Sequence, residues 1–306
     1  MLNRRTFLQS AAAASISVAN AQTSWGTSVF DLHFHLRPTP EANAAHLDGA
    51  GIQKANLLAR TGTLDRIHAI QEKYPGRYVW FAAADITKPD AEKVLTQAVK
   101  DGAGGLGEIK FHVAADGPEL RRMYALAAEL NVPILVHFQE VPHTPTEGVF
   151  STGFKNFASV LKAYPKTTFI GHADAFWANI SADYHNEAAY PTGPVRRGGV
   201  TDRLLGDFAN LYGDMSAASG NNALSRDPEF TRDFLVRHQE KLLFGSDCVC
   251  SDGHGTGGQA NNPAASRLLG KCTARETLTV LQRSATPELF QKLVWGNAHR
   301  VLKLNT

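Results

Sequence analysis

The strongest constraint on how this 306-residue chain can fold is a regular alternation of short apolar runs with segments of helical periodicity, beginning at residue 28. Several runs, such as Ile134-Leu135-Val136, are almost wholly apolar, as expected of strands that are buried on both faces. Eight strands are predicted in this way, at residues 28–33, 52–58, 78–83, 105–111, 132–137, 167–171, 210–214 and 241–245.

Amphipathic helices are predicted between the strands, most clearly at residues 89–100, 118–130 and 154–164. Pro165 directly follows the third of these segments, and a helix commonly ends before a proline. Eight strand–helix units in a chain of this length predict an α/β fold, a single-domain (β/α)₈ TIM barrel over residues 22–306. The alternative is an open doubly wound sheet, but no glycine-rich phosphate turn follows the first strand.

The N-terminal 21 residues have the pattern of a leader peptide. Arg4-Arg5-Thr6-Phe7-Leu8 precedes a short run of small and apolar residues, and Ala19-Asn20-Ala21 provides a small-x-small cleavage site. The paired arginines followed by Phe and Leu resemble a twin-arginine export signal, with an ordinary secretory signal as the alternative. Residues 1–21 are therefore predicted to direct the protein to the periplasm or out of the cell.

The charge balance excludes several classes of partner. The chain has 31 Lys and Arg against 29 Asp and Glu, and removal of Arg4 and Arg5 with the leader makes the two numbers equal. Nucleic-acid binding and polybasic membrane anchoring both need clustered positive charge, which is not present. No apolar run is long enough for stable membrane insertion. A small-molecule substrate is the expected partner, and homo-oligomerisation is left open.

The cysteine count excludes another class of protein. Three cysteines are too few for a small disulfide scaffold. In an oxidising compartment, Cys250 and Cys272 could form a bridge, and the sequence leaves this open.

Metal-ligand residue types recur at the ends of five predicted strands. Period-two alternation places His33 and His35 on the same face of the first strand. Because catalytic residues of a barrel lie at the C-terminal ends of its strands, we expect these side chains to meet around a divalent metal ion. The set consists of His33, His35, Glu108, His137, His172 and Asp247.

These motifs together resemble the metal-dependent amidohydrolase superfamily. The similarity rests on Asp31-x-His33-x-His35, on single histidines at 137 and 172, and on Asp247 within Leu-Phe-Gly-Ser-Asp. The closing segment Trp295-Gly296-Asn297-Ala298-His299 is similar to the branch that contains aminocarboxymuconate-semialdehyde decarboxylase and related hydrolases.

The resemblance implies a role for each motif. His33, His35, His137 and Asp247 would bind one ion, most simply Zn²⁺, for which imidazole ligands are well suited. Asp247 would accept the proton of the attacking water, and His172 would carry protons or bind a second ion. Asp31 could orient a histidine ligand.

The fourth strand departs from the pattern of this branch. Binuclear members of the superfamily bridge two ions with a glutamate or a carboxylated lysine from this strand, and the chain has both Glu108 and Lys110. One ion is favoured and two are an alternative; Glu108 and Lys110 could also pair with each other or contact substrate.

The expected function is a metal-dependent hydrolase that acts on a small ester, lactone or amide through a metal-activated water. The alternative is non-oxidative decarboxylation of an aromatic or unsaturated acid by the same metal site. Lys110, Arg196 and Trp177 are candidates for substrate contact.

Overall fold

The computed structural model describes residues 24–144, 146–258 and 263–304. The predicted leader at residues 1–21 lies outside them. Eight parallel strands form one sheet in the order of the chain, which confirms the (β/α)₈ barrel. The strands are β1 Phe30–His35, β2 Lys54–Arg60, β3 Tyr78–Ala83, β4 Leu106–Ile109, β5 Ile134–His137, β6 Phe169–His172, β7 Leu211–Asp214 and β8 Leu242–Leu243.

Backbone hydrogen bonds between β1 and the residues that directly follow β8 bring the barrel close to full closure. The amide of Leu32 donates to the carbonyl oxygen of Phe244 over 3.0 Å, and the amide of Asp247 donates to the carbonyl oxygen of His33 over 2.8 Å. The residues that follow β8 are thus fixed directly against β1.

Helices follow each strand and cover the outside of the barrel. Pro at the first helical turn, preceded by a capping Thr or Asp, begins three of them, because such residues satisfy or dispense with the free amides of the first turn. The α-helices are α1 Pro40–Ala50, α2 Leu64–Lys73, α3 Ala91–Lys100, α4 Pro118–Glu129, α5 Phe157–Ala163, α6 Asp174–Ala178, α7 Val200–Asp207, α8 Ala217–Ser225, α9 Pro228–Arg237, α10 Thr273–Ser284, α11 Pro287–Gln291 and α12 Asn297–Val301.

Two apolar layers stabilise the barrel. The larger one packs the strands against the helices, and the smaller fills the barrel interior with side chains such as Phe30, Leu32 and Leu135. The register of β1 shifts between Asp31 and Phe34. We infer that this irregularity changes the phase of the strand, since Leu32 fills the interior whereas the next residue, His33, belongs to the polar cluster at the mouth.

Among the described residues, no helix combines the length and the apolar character needed to cross a bilayer.

Candidate metal centre

Five strands deliver imidazole and carboxylate side chains to one end of the barrel. All lie at or just beyond the C-terminal ends of their strands, where barrel enzymes place their chemistry. The structure brings together all six residues singled out in the sequence: His33 and His35 from β1, Glu108 from β4, His137 from β5, His172 from β6 and Asp247 after β8.

Glu108 lies at the centre of this cluster, and its two oxygens face different histidines. Its Oε2 lies 3.5 Å from Nε2 of His35 and 3.9 Å from Nε2 of His33. Its Oε1 lies 2.6 Å from Nδ1 of His137 and 3.5 Å from Nε2 of His172. The two oxygens of one carboxylate therefore face different pairs of imidazoles, although the ring centres of His33 and His172, one from each pair, are only 4.2 Å apart. Such a carboxylate is placed as a bridging ligand between two ions would be.

Asp247 completes the His33–His35 side of the cluster. Its Oδ1 lies 3.3 Å from Nε2 of His35 and 3.8 Å from Nε2 of His33, and its Oδ2 lies 4.0 Å from Nε2 of His172. The side chain is 18% exposed, so it is open to the cavity above the cluster.

A buried residue that the sequence reading did not single out, Asp214 at the end of β7, orients two of the histidines. Its Oδ2 lies 2.7 Å from Nδ1 of His33 and also accepts a hydrogen bond from Oγ of Ser216 over 2.9 Å. Since this hydroxyl donates to Asp214, it can accept from Nδ1 of His172, 2.8 Å away. Both imidazoles are thereby held with Nε2 directed away from Asp214 and free to act as a ligand.

His137 has its own orienting partner, which the sequence reading also missed. Its Nε2 lies 2.7 Å from Oε1 of Gln139, while the amide nitrogen of Gln139 donates to Glu147 over 2.9 Å and to the carbonyl oxygen of Val141. Oε1 of Gln139 is therefore the acceptor, and Nε2 of His137 is the donor. This leaves Nδ1 of His137 facing Glu108.

The imidazoles and carboxylates of the cluster strongly shift one another's pKa values. Burial alone would lower the pKa of His33, but the carboxylates of Asp247 and Asp214 raise it to about 10. Burial would raise the pKa of Asp247, but His33 and His35 lower it to about 2. Glu108 behaves similarly: the charges of His137 and His33 hold its pKa well below the usual range despite its burial.

The donor set fits a metal ion. Nε2 of His33 is buried and has no hydrogen-bond partner within the part of the chain that the structure describes, a costly arrangement unless a ligand satisfies it. One ligand atom each from His33, His35 and Asp247 lies within 4.8 Å of the others, and the same holds for His33, Glu108 and His172. Imidazole nitrogens with carboxylate oxygens are typical ligands of catalytic zinc and related divalent ions.

Unusual backbone conformations occur at the strand ends around this cluster. Ala173, Ala217 and Asp247 all have positive φ, at 79°, 62° and 45°. Such conformations are unfavourable for residues with a β-carbon and are concentrated at functional sites in proteins.

A close approach requires a glycine before Asp247. A β-carbon on Gly245 would lie 2.3 Å from Oδ1 of Asp214 and 2.8 Å from the β-carbon of His33. Glycine at position 245 therefore allows the Asp214–His33 pair to form.

A cavity of about 680 Å³ opens above the cluster, a volume suited to a small ligand. Lys110 lines this cavity, where its Nζ lies 3.6 Å from Oε1 of Glu147 and 5.6 Å from the ring centre of Phe150. Lys110 thus faces the wall of the cavity, and Glu108, not Lys110, lies between the histidines. Arg60 provides a second cationic side chain in the lining.

Two of the residues suggested for substrate contact are not brought to this cavity. Arg196 is exposed and is not among the described residues that line it. Trp177 is fully buried, and its indole nitrogen donates to the backbone carbonyl oxygen of Asp214 over 2.7 Å, so it packs beneath the site.

Asp31 has a role different from the suggested orientation of a histidine ring. Its carboxylate accepts hydrogen bonds from the amide and hydroxyl of Ser246 and from the amide of His33. Burial raises its pKa to about 7. Asp31 therefore joins the backbones of β1 and the segment after β8.

Several solved structures share this fold. The chain is similar to 2,6-dihydroxybenzoate decarboxylase from Rhizobium, with 14% identity, a TM-score of 0.53, and coverage of 92% of this chain and 100% of that chain. Dihydroorotase from Campylobacter jejuni gives 18% identity and a TM-score of 0.55, over 91% of this chain and 84% of that chain. A TatD homologue from Escherichia coli gives 17% identity and a TM-score of 0.54, over 90% and 98%.

At these identities, the three similarities establish the fold alone. No curated protein sequence matches the chain. Residues 33–304, however, match the amidohydrolase family, and this range contains every residue of the cluster described above. The chain therefore belongs to the amidohydrolase family.

Proposed function

We propose that this protein is a metal-dependent hydrolase of small esters, lactones or amides, in which Glu108, Asp247 and the four histidines of the cluster would hold two divalent ions, most simply zinc. The observation that carries the proposal is the division of the four histidines between the two oxygens of Glu108. The sequence favoured one ion, but a carboxylate in this position favours two. Two-ion centres are characteristic of hydrolytic enzymes, which makes hydrolysis the preferred activity.

Bound divalent ions would polarise the scissile carbonyl group and lower the pKa of a coordinated water. The role of the protein's own groups follows from their charges and positions. Asp247 is ionised at neutral pH, because its pKa is lowered to about 2, and it faces the cavity. It is the group that would accept a proton from the attacking water and deliver it to the leaving group.

His172 would contribute a neutral imidazole that is held in a fixed orientation. Burial, together with the positive charge of His33, holds the pKa of His172 well below its usual range, so its imidazole is neutral. Ser216 holds its Nδ1, which leaves Nε2 as a ligand beside Oε1 of Glu108 or as a hydrogen-bond acceptor toward substrate.

Two cationic side chains in the cavity lining, set among its carboxylates, could bind an acidic group of a substrate. Arg60 and Lys110 are both in its lining, and either could bind a carboxylate of the substrate. These two cations also support the second candidate, decarboxylation of an aromatic or unsaturated acid, which needs a bound carboxylate as well.

One substrate panel separates the two activities. Purified protein with its metal would be tested for acid release from esters, lactones and amides bearing a carboxylate, and for CO₂ release from aromatic and unsaturated acids. Hydrolysis that is abolished by chelation and restored by zinc supports the proposal. Release of CO₂ with no hydrolysis anywhere in the panel would replace it with the decarboxylase.

We further propose that the protein acts outside the cytoplasmic membrane, which rests on the paired Arg4 and Arg5 of the leader. Replacing both with lysine should abolish export by the twin-arginine route. Export at the wild-type rate would refute that route.

A further inference from the structure

All three cysteines of the chain meet at one place outside the candidate metal centre. Cys248 and Cys250 follow Asp247 on the segment after β8, and Cys272 precedes the first residue of α10. Sγ of Cys248 lies 3.3 Å from Sγ of Cys250 and 3.8 Å from Sγ of Cys272. His46 from α1 joins them, with its Nδ1 3.5 Å from Sγ of Cys250.

We propose that His46, Cys248, Cys250 and Cys272 form a Cys₃His site for a structural zinc ion, separate from the ions around Glu108. One ligand atom from each of these four residues lies within 4.8 Å of all the others. A tetrahedral zinc site with bonds of about 2.3 Å to sulfur and about 2.0 Å to nitrogen needs ligand atoms roughly 3.5–3.8 Å apart. The observed separations of 3.3, 3.5 and 3.8 Å lie within about 0.5 Å of that spacing.

The burial of the cluster supports a closed structural site. His46 and Cys250 are fully buried, and Cys272 and Cys248 are 3% and 8% exposed. Structural zinc sites have four protein ligands and no open position for water, whereas catalytic sites keep one open. Three buried thiols and one buried imidazole, none of which lines the cavity above the candidate metal centre, fit the first kind.

His46 turns its Nδ1 toward the sulfur atoms, 3.5 Å from Sγ of Cys250. The same nitrogen lies 2.9 Å from the carbonyl oxygen of Cys250, and Nε2 is buried with no hydrogen-bond partner among the described residues. Binding of the ion through Nδ1 would place the ring proton on Nε2 and release Nδ1 from this carbonyl oxygen. The ring is further held by stacking on Phe34, with 5.2 Å between ring centres.

A neighbouring cation offsets the charge that such a site would carry. Three thiolates and one neutral imidazole around Zn²⁺ leave a net negative charge, which needs a partner when it is buried. Arg37 donates from Nη2 to the carbonyl oxygen of Cys248 over 2.9 Å, and its Nε is buried without a partner in residues 24–144, 146–258 and 263–304.

The alternative for these residues is a disulfide. The sequence left a Cys250–Cys272 bridge open, but all three cysteines are free thiols in the structure. Any single disulfide would also leave one thiol and His46 unpaired in the interior.

The site would link three separate segments of the chain. It would join α1 and α10 to the segment that directly follows Asp247, and so hold that segment in place. The proposed ion thus stabilises the mouth of the barrel without contact with substrate.

The first test uses the complete protein as purified. Titration with an organomercurial, which attacks thiolates and spares imidazole and carboxylate ligands, should release one zinc ion per chain as three thiols react. Reaction of the three thiols without zinc release, or a disulfide found by mass spectrometry, would overturn the proposal.

The second test measures the absorption spectrum of bound Co²⁺. It uses wild-type protein first, so its main result does not depend on whether a variant folds. Metal-free wild-type protein reloaded with Co²⁺ should show sulfur-to-cobalt charge-transfer absorption, which only these three cysteines can supply. His46→Gln should weaken this binding by about tenfold or more, whereas His68→Gln, at an exposed histidine of α2, should leave it unchanged. Absence of the absorption in wild-type protein would refute the site and leave the proposed hydrolase unaffected.

Discussion

Nδ1 of His33 lies 2.7 Å from the Asp214 carboxylate, and both side chains are completely buried although 181 positions separate them in the chain. This pair determines which nitrogen of His33 faces Glu108 and Asp247. Through Ser216, the same carboxylate also orients His172. Asp214 is thus a positioning residue for both sides of the candidate metal centre.

Replacing Asp214 should weaken metal binding without removing a ligand. In the wild type, the Asp214 carboxylate only accepts hydrogen bonds, from Nδ1 of His33 and from the amide and hydroxyl of Ser216. Asp214→Asn removes the negative charge and replaces one of the accepting oxygens with an NH₂ group that cannot accept. We expect the Kd for zinc to rise by about 10- to 100-fold, as is typical when an orienting partner is lost. Competition with a chelating indicator measures this change. Asp174→Asn is the matched control, since that buried carboxylate contacts His143 instead; equal effects of both variants would contradict the role of Asp214.

Removal of the proton acceptor should affect turnover more than binding. Asp247→Asn keeps an oxygen that can bind metal but cannot accept a proton, so kcat should fall by about 10²- to 10⁴-fold with the fold intact. The measurement is steady-state kinetics on a substrate found in the panel. Asp85→Asn, at an exposed residue of the cavity lining, should retain most of the activity.

His172→Asn provides the comparison for that result. It should cost as much as Asp247→Asn if His172 shares the proton transfer, and less if it only orients substrate. Near wild-type kcat in Asp247→Asn with full metal content would show that Asp247 is only a turn residue.

The space around Gly245 and around Gly206 predicts opposite effects of alanine substitution on stability at these two positions. Gly245→Ala would place a methyl group 2.3 Å from Oδ1 of Asp214 and should destabilise the protein by about 1–3 kcal/mol and reduce its metal content. Gly206→Ala in α7, whose nearest neighbour would be 3.9 Å away, should be stabilising by about 0.5–1 kcal/mol. Thermal unfolding and metal analysis of both variants test this; tolerance of Gly245→Ala would mean that the Asp214–His33 pair can shift freely.

An ion pair between α7 and α9 predicts a pH-dependent contribution to stability. Asp202 accepts hydrogen bonds from His238 over 2.6 Å and from Arg237 over 2.9 Å. Burial would raise its pKa, but these hydrogen bonds lower it. Because the folded pKa lies below the unfolded value of about 3.9, the stabilisation is present above that pH and disappears as pH falls through the folded pKa.

Asp202→Asn should therefore lower the free energy of unfolding by about 1–3 kcal/mol at neutral pH, with a smaller difference from wild type below about pH 4. Denaturant unfolding at both pH values measures this. Asp233→Asn, which breaks an exposed pair with Arg197, should have little effect at either pH. A difference for Asp202→Asn that grows as the pH falls would contradict the assignment.

The strands were predictable because parallel strands buried on both faces are almost wholly apolar. The final strand was predicted to reach Gly245 but ends at Leu243, since the chain there turns into the metal centre to make the Asp247–His33 backbone contact. The metal-ligand residue types were also predictable, because several strands end in them at the same side of the barrel.

The side-chain contacts of the candidate metal ligands were not predictable from the sequence. Asp214 ends a predicted strand, as Asp247 follows one, but nothing in the local sequence indicates that its carboxylate meets His33. The grouping of His46 with the three cysteines likewise depends on tertiary packing between α1 and the segment after β8. Glu108 and Lys110 were equivalent candidates by spacing, and only their side-chain contacts separate them.

The proposed role of Glu108 as a ligand shared by two ions is tested most directly by counting metal ions in Glu108→Gln. Elemental analysis of identically purified wild-type and variant protein should find one ion fewer per chain in the variant, because its amide is a poorer bridging ligand than a carboxylate. Glu129→Gln, at an exposed position of α4, should match wild type. Equal metal content in Glu108→Gln and wild type, or wild-type protein that contains no metal, would contradict the two-ion centre.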